Sequence, residues 1–262
     1  MNYKACIVVP TYNSEKYLRQ TLDSALAQKN VSFEVIVIDD CSTDSTCSIL
    51  EEYDGRVRVY RRSTNTGISA NVNYAISKTE AEFILLLGHD DMLEPVHLAA
   101  MLEAFDDKTG FVFCNANKVD SAGKFIKEAR NDEEQVKKLL NIEFELAVDN
   151  FISSCGAVFR KSLFEQIGGW DESFKFYGEW LSYIKYASLM GVRYERSVRP
   201  SYRVHETNIT KQIAKSDSLE IYKDICRKLA LQIFDFSFKQ RVLVRVSILS
   251  IKLKRLIKKL FL

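Results

Sequence analysis

Up to about residue 115 the chain alternates uninterrupted apolar runs with amphipathic stretches, and no other feature restricts its fold as much. The runs are CIVVP, FEVIVID, RVRVYR, FILLL and GFVFCNA; between them lie SEKYLRQTLDSALAQ, STDSTCSILEEY, GISANVNYAIS and EPVHLAAMLEAF. Strands buried on both faces read as continuous apolar runs, and the amphipathic stretches supply helices to cover them. The expectation is an α/β fold with a doubly wound, mostly parallel sheet, whose ligands bind at the carboxyl ends of the strands. Ser14 and Ser42 or Thr43 are placed to cap helix starts, and Pro95 suits a first helical turn.

The rhythm becomes irregular from VDSAGKFI, residues 119–126, with a turn expected at Ser121 to Gly123. A charged helical stretch around Asp132 to Leu140, a small-residue strand ISSCGAVF, a helix from Gly178 to Leu189 and the segment YRVHETNIT follow. This half has few strands of its own and is expected to extend the first sheet.

At 262 residues with 47% hydrophobic content the chain can bury a sizeable core. Its six cysteines show no CxxC spacing, and several sit in apolar runs; a reducing compartment is expected, with neither a zinc site nor a disulfide framework. Met1 to Lys4 lead straight into a strand, so no cleaved secretory leader is expected. Residues 237–262 carry eight basic side chains and no acidic one, so the whole-chain charge of +2 leaves −6 on residues 1–236. A mildly acidic body carries a strongly basic tail.

Polar clusters close the first, second and fourth apolar runs: PTYN at residues 10–13, IDDCSTDST with Asp39 and Asp40, and GHDD with Asp90 and Asp91. In an α/β sheet these ends face one crevice. Any one cluster is equally well a set of helix caps; three together point to a site. Adjacent carboxylates repel, so Asp90 and Asp91 must take up a proton or be offset by a cation. Oxygen ligands with room for water and phosphate suit Mg²⁺ or Mn²⁺, and the matching substrate is a nucleotide diphosphate. Tyr12 offers a flat face for a base, and Asp40 or Asp39 an acceptor for a base or ribose donor.

VVPTYNSEKYLRQTLDSALAQ, VIDDCSTDST, NTGISANVN, LLLGHDDMLEP, CGAVFRKSLFEQIGGWDE and YRVHETNIT, in this order, resemble the family 2 glycosyltransferases of GT-A fold, over about residues 3–210. The resemblance implies an inverting enzyme that uses a nucleotide-activated sugar. It divides residues 1–212 into a nucleotide-binding half, 1–115, and an acceptor half, 116–212, followed by a helical basic extension, 213–262. Carried over by position, Pro10, Tyr12 and Asp40 would hold the nucleoside with Asp39 adjacent, and Asn73 would lie on the nucleotide-sugar side. Asp90 and Asp91 would take the ribose and the divalent ion, and His205 would stand near the diphosphate as a further metal candidate. The family base is commonly the aspartate of an ED pair opening a helix after GGxDE. Here GGWDE is followed by YGEW, which puts Glu179 in the aspartate's place and Gly178 in the glutamate's. Asp171 is the rival base. Gly88 replaces the first aspartate of the fuller DxDD motif, and Val72 stands where relatives often carry an arginine before Asn73.

In the tail, Val242, Val246, Leu249, Leu253, Leu256 and Leu260 recur at helical spacing, with Arg241, Arg245, Lys252, Arg255 and Lys259 beside them; Lys258 is also basic. The apolar runs are too short to span a bilayer, which needs about 20 residues. A basic amphipathic helix suits an anionic membrane surface; the alternative is packing on its own domain or on a second subunit as a homodimer. Nucleic acid is not an expected partner, because the acidic body opposes it. The chain is therefore expected to be cytoplasmic, at the inner face of a membrane, with a lipid-linked or polysaccharide acceptor. A non-catalytic nucleotide-sugar binding subunit is the competing class. A nucleotidyltransferase lacks support, since no glycine-rich, lysine-bearing phosphate loop follows the first strand.

Overall fold

The computed structural model describes residues 3–174, 178–208 and 217–260. The side chains of 217 and 255–260 lie outside the described residues, and with them Arg255, Leu256, Lys258, Lys259 and Leu260 of the tail pattern, as does the 212/213 boundary.

The apolar runs form β1 (Ala5–Thr11), β2 (Phe33–Asp39), β3 (Arg58–Arg61), β4 (Phe83–Leu86) and β5 (Thr109–Cys114). The stretches between them form α1 (Leu18–Leu26), α2 (Thr46–Glu51), α3 (Ile68–Ile76) and α4 (His97–Glu103). Strands β1 to β4 are mutually parallel where they pair. The period-two alternation of a strand is visible in the core: Cys6 and Val8 join one apolar cluster, Ala5, Ile7 and Val9 the other. The sheet is therefore covered on both faces, as its unbroken apolar runs require.

The second half extends this sheet. It contributes β8 (Val158–Arg160) and β9 (Gly191–Glu195), giving the order β3-β2-β1-β4-β8-β5-β9, with β8 antiparallel to both neighbours. It also forms a three-stranded sheet from β6 (Asn117–Val119), β7 (Phe125–Glu128) and β10 (Ser201–Arg203). Helices α5 (Asp132–Leu139), α6 (Ile142–Val148), α7 (Lys161–Gln166) and α8 (Glu179–Leu189) pack beside them. The C-terminal helices α9 (Asp217–Ile233) and α10 (Phe238–Leu260) belong to the same core: Tyr222, Cys226, Ala230 and Val244 are buried in it.

ISSCGAVF is a strand only at its end. Gly156 has φ +72° and Ala157 N donates to Ser154 O (3.2 Å), so the chain turns before β8 begins. The turn closes on His97, whose Nε2 lies 2.8 Å from Gly156 O; a Cβ on Gly156 would come within 2.6 Å of that nitrogen. With Nε2–H donating to this carbonyl, Nδ1 carries no proton and finds no hydrogen-bond partner among the described residues. Burial pushes the His97 pKa down from 6.5 to about 4. Between those values the unfolded chain binds the extra proton, so folding stability is full above pH 6.5 and is lost as the pH falls towards 4, by an amount on the order of 3 kcal/mol. Urea midpoints measured across this range should fall more steeply for the parent than for His97→Gln.

Candidate functional site

The loops after β1 and β2 are stapled together. Asn13 N donates to Ser42 Oγ (2.9 Å), Thr43 N to Asn13 Oδ1 (2.9 Å), Ser14 N to Thr46 Oγ1 (2.7 Å) and Glu15 N to Asp44 Oδ2 (3.1 Å). Helices α1 and α2 begin later than the expected caps, because Ser14 Oγ accepts from Thr11 Oγ1 and Tyr12 N, while Ser42 is held by Asp39. Asn13 and Cys41 are both left-handed, with φ of 48° and 67°. Non-glycine residues in that region are uncommon, cost free energy and cluster at functional sites. Between these loops Pro10 is half-buried and the Tyr12 ring is 45% exposed.

Asp39 and Asp40 are buried, and their carboxylates face protein groups. Asp39 accepts from the Ser42 amide and hydroxyl and from the Cys47 thiol. Asp40 Oδ1 accepts from Thr66 N (2.8 Å) and Oδ2 from Gly67 N (2.9 Å). These bonds shape the turns that flank the crevice. Asn73 is likewise held by protein groups. Its Nδ2 donates to Trp170 O (2.8 Å) and Glu172 Oε1 (2.9 Å), and its Oδ1 accepts from Trp170 N (2.8 Å). With the Ser69 hydroxyl, which donates to Phe174 O (2.6 Å), it fastens GGWDE onto α3.

The adjacent aspartates part company. Asp91 turns inward: it is 4% exposed, Oδ1 accepts from Arg203 N (3.0 Å), and the Cys155 thiol lies against it. Burial first, and the neighbouring Asp90 second, push its carboxyl well above the ordinary range. Asp91, an expected metal ligand, is buried against Arg203. Asp90 is the less buried of the two, its side chain 15% exposed. Its Oδ2 meets His205 Nε2 at 2.8 Å and Asn208 Nδ2 at 3.0 Å, and His205 Nδ1 is oriented by Thr207 Oγ1 at 2.9 Å. A Cβ on Gly88 would stand 3.0 Å from Asp91 Oδ2 and 3.1 Å from Asp90 Oδ1, so a third aspartate at this position would crowd two carboxylates.

Arg203 is fully buried beneath this loop and was not foreseen. Its Nε donates to Asp90 O (2.9 Å), Nη1 to Ser121 O (3.0 Å) and Nη2 to Gln20 Oε1 (2.6 Å), and its guanidinium lies 4.6 Å from the centre of the Tyr17 ring. Buried positive charge here offsets the paired carboxylates. The available signal was the strand period: Arg203 and His205 are two apart, and β10 bridges to Met92 just after the aspartates.

Among the described residues no group of three His, Cys, Asp or Glu side chains converges to hold a metal ion. Asp90 and His205 offer two donors, a carboxylate oxygen and an imidazole nitrogen. That set fits a divalent ion such as Mg²⁺ or Mn²⁺ if its other ligands are water and substrate phosphate oxygens.

The other candidate carboxylate lies at the N-terminus of α8. Glu179 is half-buried in its first turn, with Oε2 accepting from Gly178 N (3.3 Å), and burial raises its pKa above the ordinary value. Tyr183, one turn on and close enough for its phenol to respond to the Glu179 charge, lines a narrow cavity with Leu86, Ser154, Ala157 and Trp170. Leu86 is the last residue of β4, four positions before Asp90. Asp171 lies on the exposed surface, its Oδ1 accepting from Ser173 N (2.9 Å) and Oγ (2.6 Å). Gly178 is explained by Trp170: a Cβ would lie 2.2 Å from the indole ring. Gly178→Ala is therefore expected to destabilise the fold by about 1–3 kcal/mol in chemical denaturation, through overpacking.

The model of the family described as "Glycosyl transferase family 2" matches residues 6–168. An uncharacterized glycosyltransferase of Rickettsia typhi is 30% identical over 207 residues, covering 78% of this chain and 65% of its own length. The putative glycosyltransferase EpsH of Bacillus subtilis is 30% identical over 223 residues, covering 80% of this chain and 63% of its own length. The chain thus spans just under two thirds of each of these relatives. The crystal structure of residues 1–349 of Staphylococcus aureus TarS in complex with UDP superposes with a TM-score of 0.61 at 25% identity, covering 89% of this chain and 72% of that one.

Proposed function

The chain belongs to glycosyl transferase family 2, and from that footing we propose an inverting enzyme that moves a sugar from a nucleoside diphosphate to a hydroxyl of a lipid-linked or polysaccharide acceptor. What supports the reading is a carboxylate–imidazole pair after β4, Asp90 with His205, together with a desolvated carboxylate, Glu179, in the first turn of α8. Single displacement needs both: a charge-compensating side for the departing diphosphate and a carboxylate on the acceptor side.

Tyr12 and Pro10, between the stapled loops, form the nucleoside side, with the Asp39–Cys41 turn beneath. Asp90 and His205 would hold a divalent cation of the Mg²⁺ or Mn²⁺ type, which would supply positive charge against the departing diphosphate. Arg203 and Asn208 keep the two ligands aimed at each other. Glu179 takes the proton of the acceptor hydroxyl as that oxygen attacks; a desolvated carboxylate is the stronger base. The sugar transferred is a hexose or hexose derivative in this reading, and the enzyme works from the cytoplasm at the inner face of a membrane. The test is a donor screen that follows nucleoside diphosphate release with Mn²⁺, with Mg²⁺ and with a chelator. The TarS structure carries UDP, so uridine diphosphate sugars are tried first. One donor should be hydrolysed in preference, and only with metal; release from none of them would refute the catalytic reading and favour a nucleotide-sugar binding subunit.

A further inference from the structure

Helix α10 has two apolar faces, and only one is covered. On the first, Val244 is fully buried, and Ile248 and Ile251 pack against the main core. Polar anchors hold that face in place: Arg241 Nη1 donates to Leu231 O (2.6 Å) and Nε to Phe236 O (3.0 Å), and Lys252 Nζ reaches Asp224 Oδ1 at 3.0 Å. The second face is half a turn away at 3.6 residues per turn. It carries Val242, Val246, Leu249 and Leu253, exposed by 41%, 56%, 65% and 57%, and Phe238 at the helix start is 84% exposed. A surface helix packed on one side should be polar on the other. An apolar stripe rimmed by polar groups marks an interaction surface.

The rim identifies the occupant. By helical geometry Arg245 and Lys252 fall along one side of the stripe, Lys239 and Lys254 along the other. Residues 237–262 hold eight basic side chains and no acidic one. Pairing this face two-fold with the same face of a second copy would set rim against rim, like charge against like. A lipid surface with anionic headgroups complements both rims at once and accepts the stripe between them. Among the described residues no helix is long and apolar enough to cross a membrane. We propose that the Val242–Val246–Leu249–Leu253 face of α10 docks flat on an anionic bilayer while its opposite face stays packed on the domain. This goes beyond the glycosyl transfer reading and does not depend on it.

Removing α10 would take Val244 out of the core, so point variants of exposed residues are the proper test. Full-length protein is floated with vesicles of phosphatidylcholine alone and of phosphatidylcholine with phosphatidylglycerol. The parent should float only with the anionic vesicles. The double variant Leu249→Glu, Leu253→Glu should lose flotation with its thermal midpoint and its donor hydrolysis in solution unchanged. Arg245→Gln and Lys254→Gln should each weaken binding about fivefold. Absent flotation of the parent, or equal flotation of the double variant, would overturn the proposal. So would light scattering that shows a lipid-free dimer which the double variant dissolves, since the face would then belong to a second copy.

Discussion

Glu179→Gln is expected to lower sugar transfer by a factor on the order of 10² to 10⁴ while leaving donor affinity unchanged. Glutamine preserves the volume of the side chain and an oxygen that can accept from Gly178 N, the bond seen at 3.3 Å. What it removes is the ability to take a proton. The active form of the base is the carboxylate, so the parent rate should rise with pH through the Glu179 ionisation. Because burial raises that pKa, the acid limb should lie at higher pH than for an exposed glutamate. The stability consequence runs the other way. A carboxyl with a raised folded pKa stabilises the fold below that pKa and is a burden above it, so the glutamine variant should be at least as stable as the parent at neutral pH. An inactive variant with an undiminished melting temperature is the signature of a catalytic group held at a cost to folding. Native turnover in this variant would remove Glu179 from the base position.

Asp90→Ala should abolish metal-dependent donor turnover, with a loss on the order of a thousandfold. Asp90 Oδ2 joins His205 and Asn208 at 2.8 and 3.0 Å. Asp91→Asn should cost far less turnover, because an amide oxygen can still accept from Arg203 N where Oδ1 does now. The two adjacent substitutions thus separate a ligand from a scaffold. Titrating Mn²⁺ against nucleoside diphosphate release reads the difference: Asp90→Ala should show no saturable response, Asp91→Asn a nearly normal one. Equal losses in both would mean that the carboxylates act as one unit.

Several features were legible before any coordinates. Unbroken apolar runs such as FEVIVID can sit only in a strand covered on both faces, and the alternate membership of β1 in two core clusters bears this out. The three polar clusters do fall at the ends of β1, β2 and β4. Less legible was which side chains of those clusters are open. What Asp40 and Asn73 bond within the fold is not legible beside them, because the Thr66–Gly67 turn and the Trp170 backbone come from other segments. Arg203 was missed for the same reason: a lone arginine in YRVH reads as a surface residue until β10 carries it under the aspartate loop.

The order of apolar and amphipathic segments by itself determined the α/β class, because the two periodicities admit few other ways of burying those surfaces. It also determined the basic, amphipathic character of the tail, which follows from residue types at fixed spacing. Only the tertiary structure decided that Asp90 meets His205 while Asp91 is buried against Arg203, that Trp170 excludes any side chain at position 178, and that α10 keeps an apolar face in solvent after packing the other. Those outcomes depend on which distant backbone groups satisfy a given donor or acceptor, and on where a neighbouring ring leaves no room. Such constraints arise when remote segments meet and are not written in local pattern.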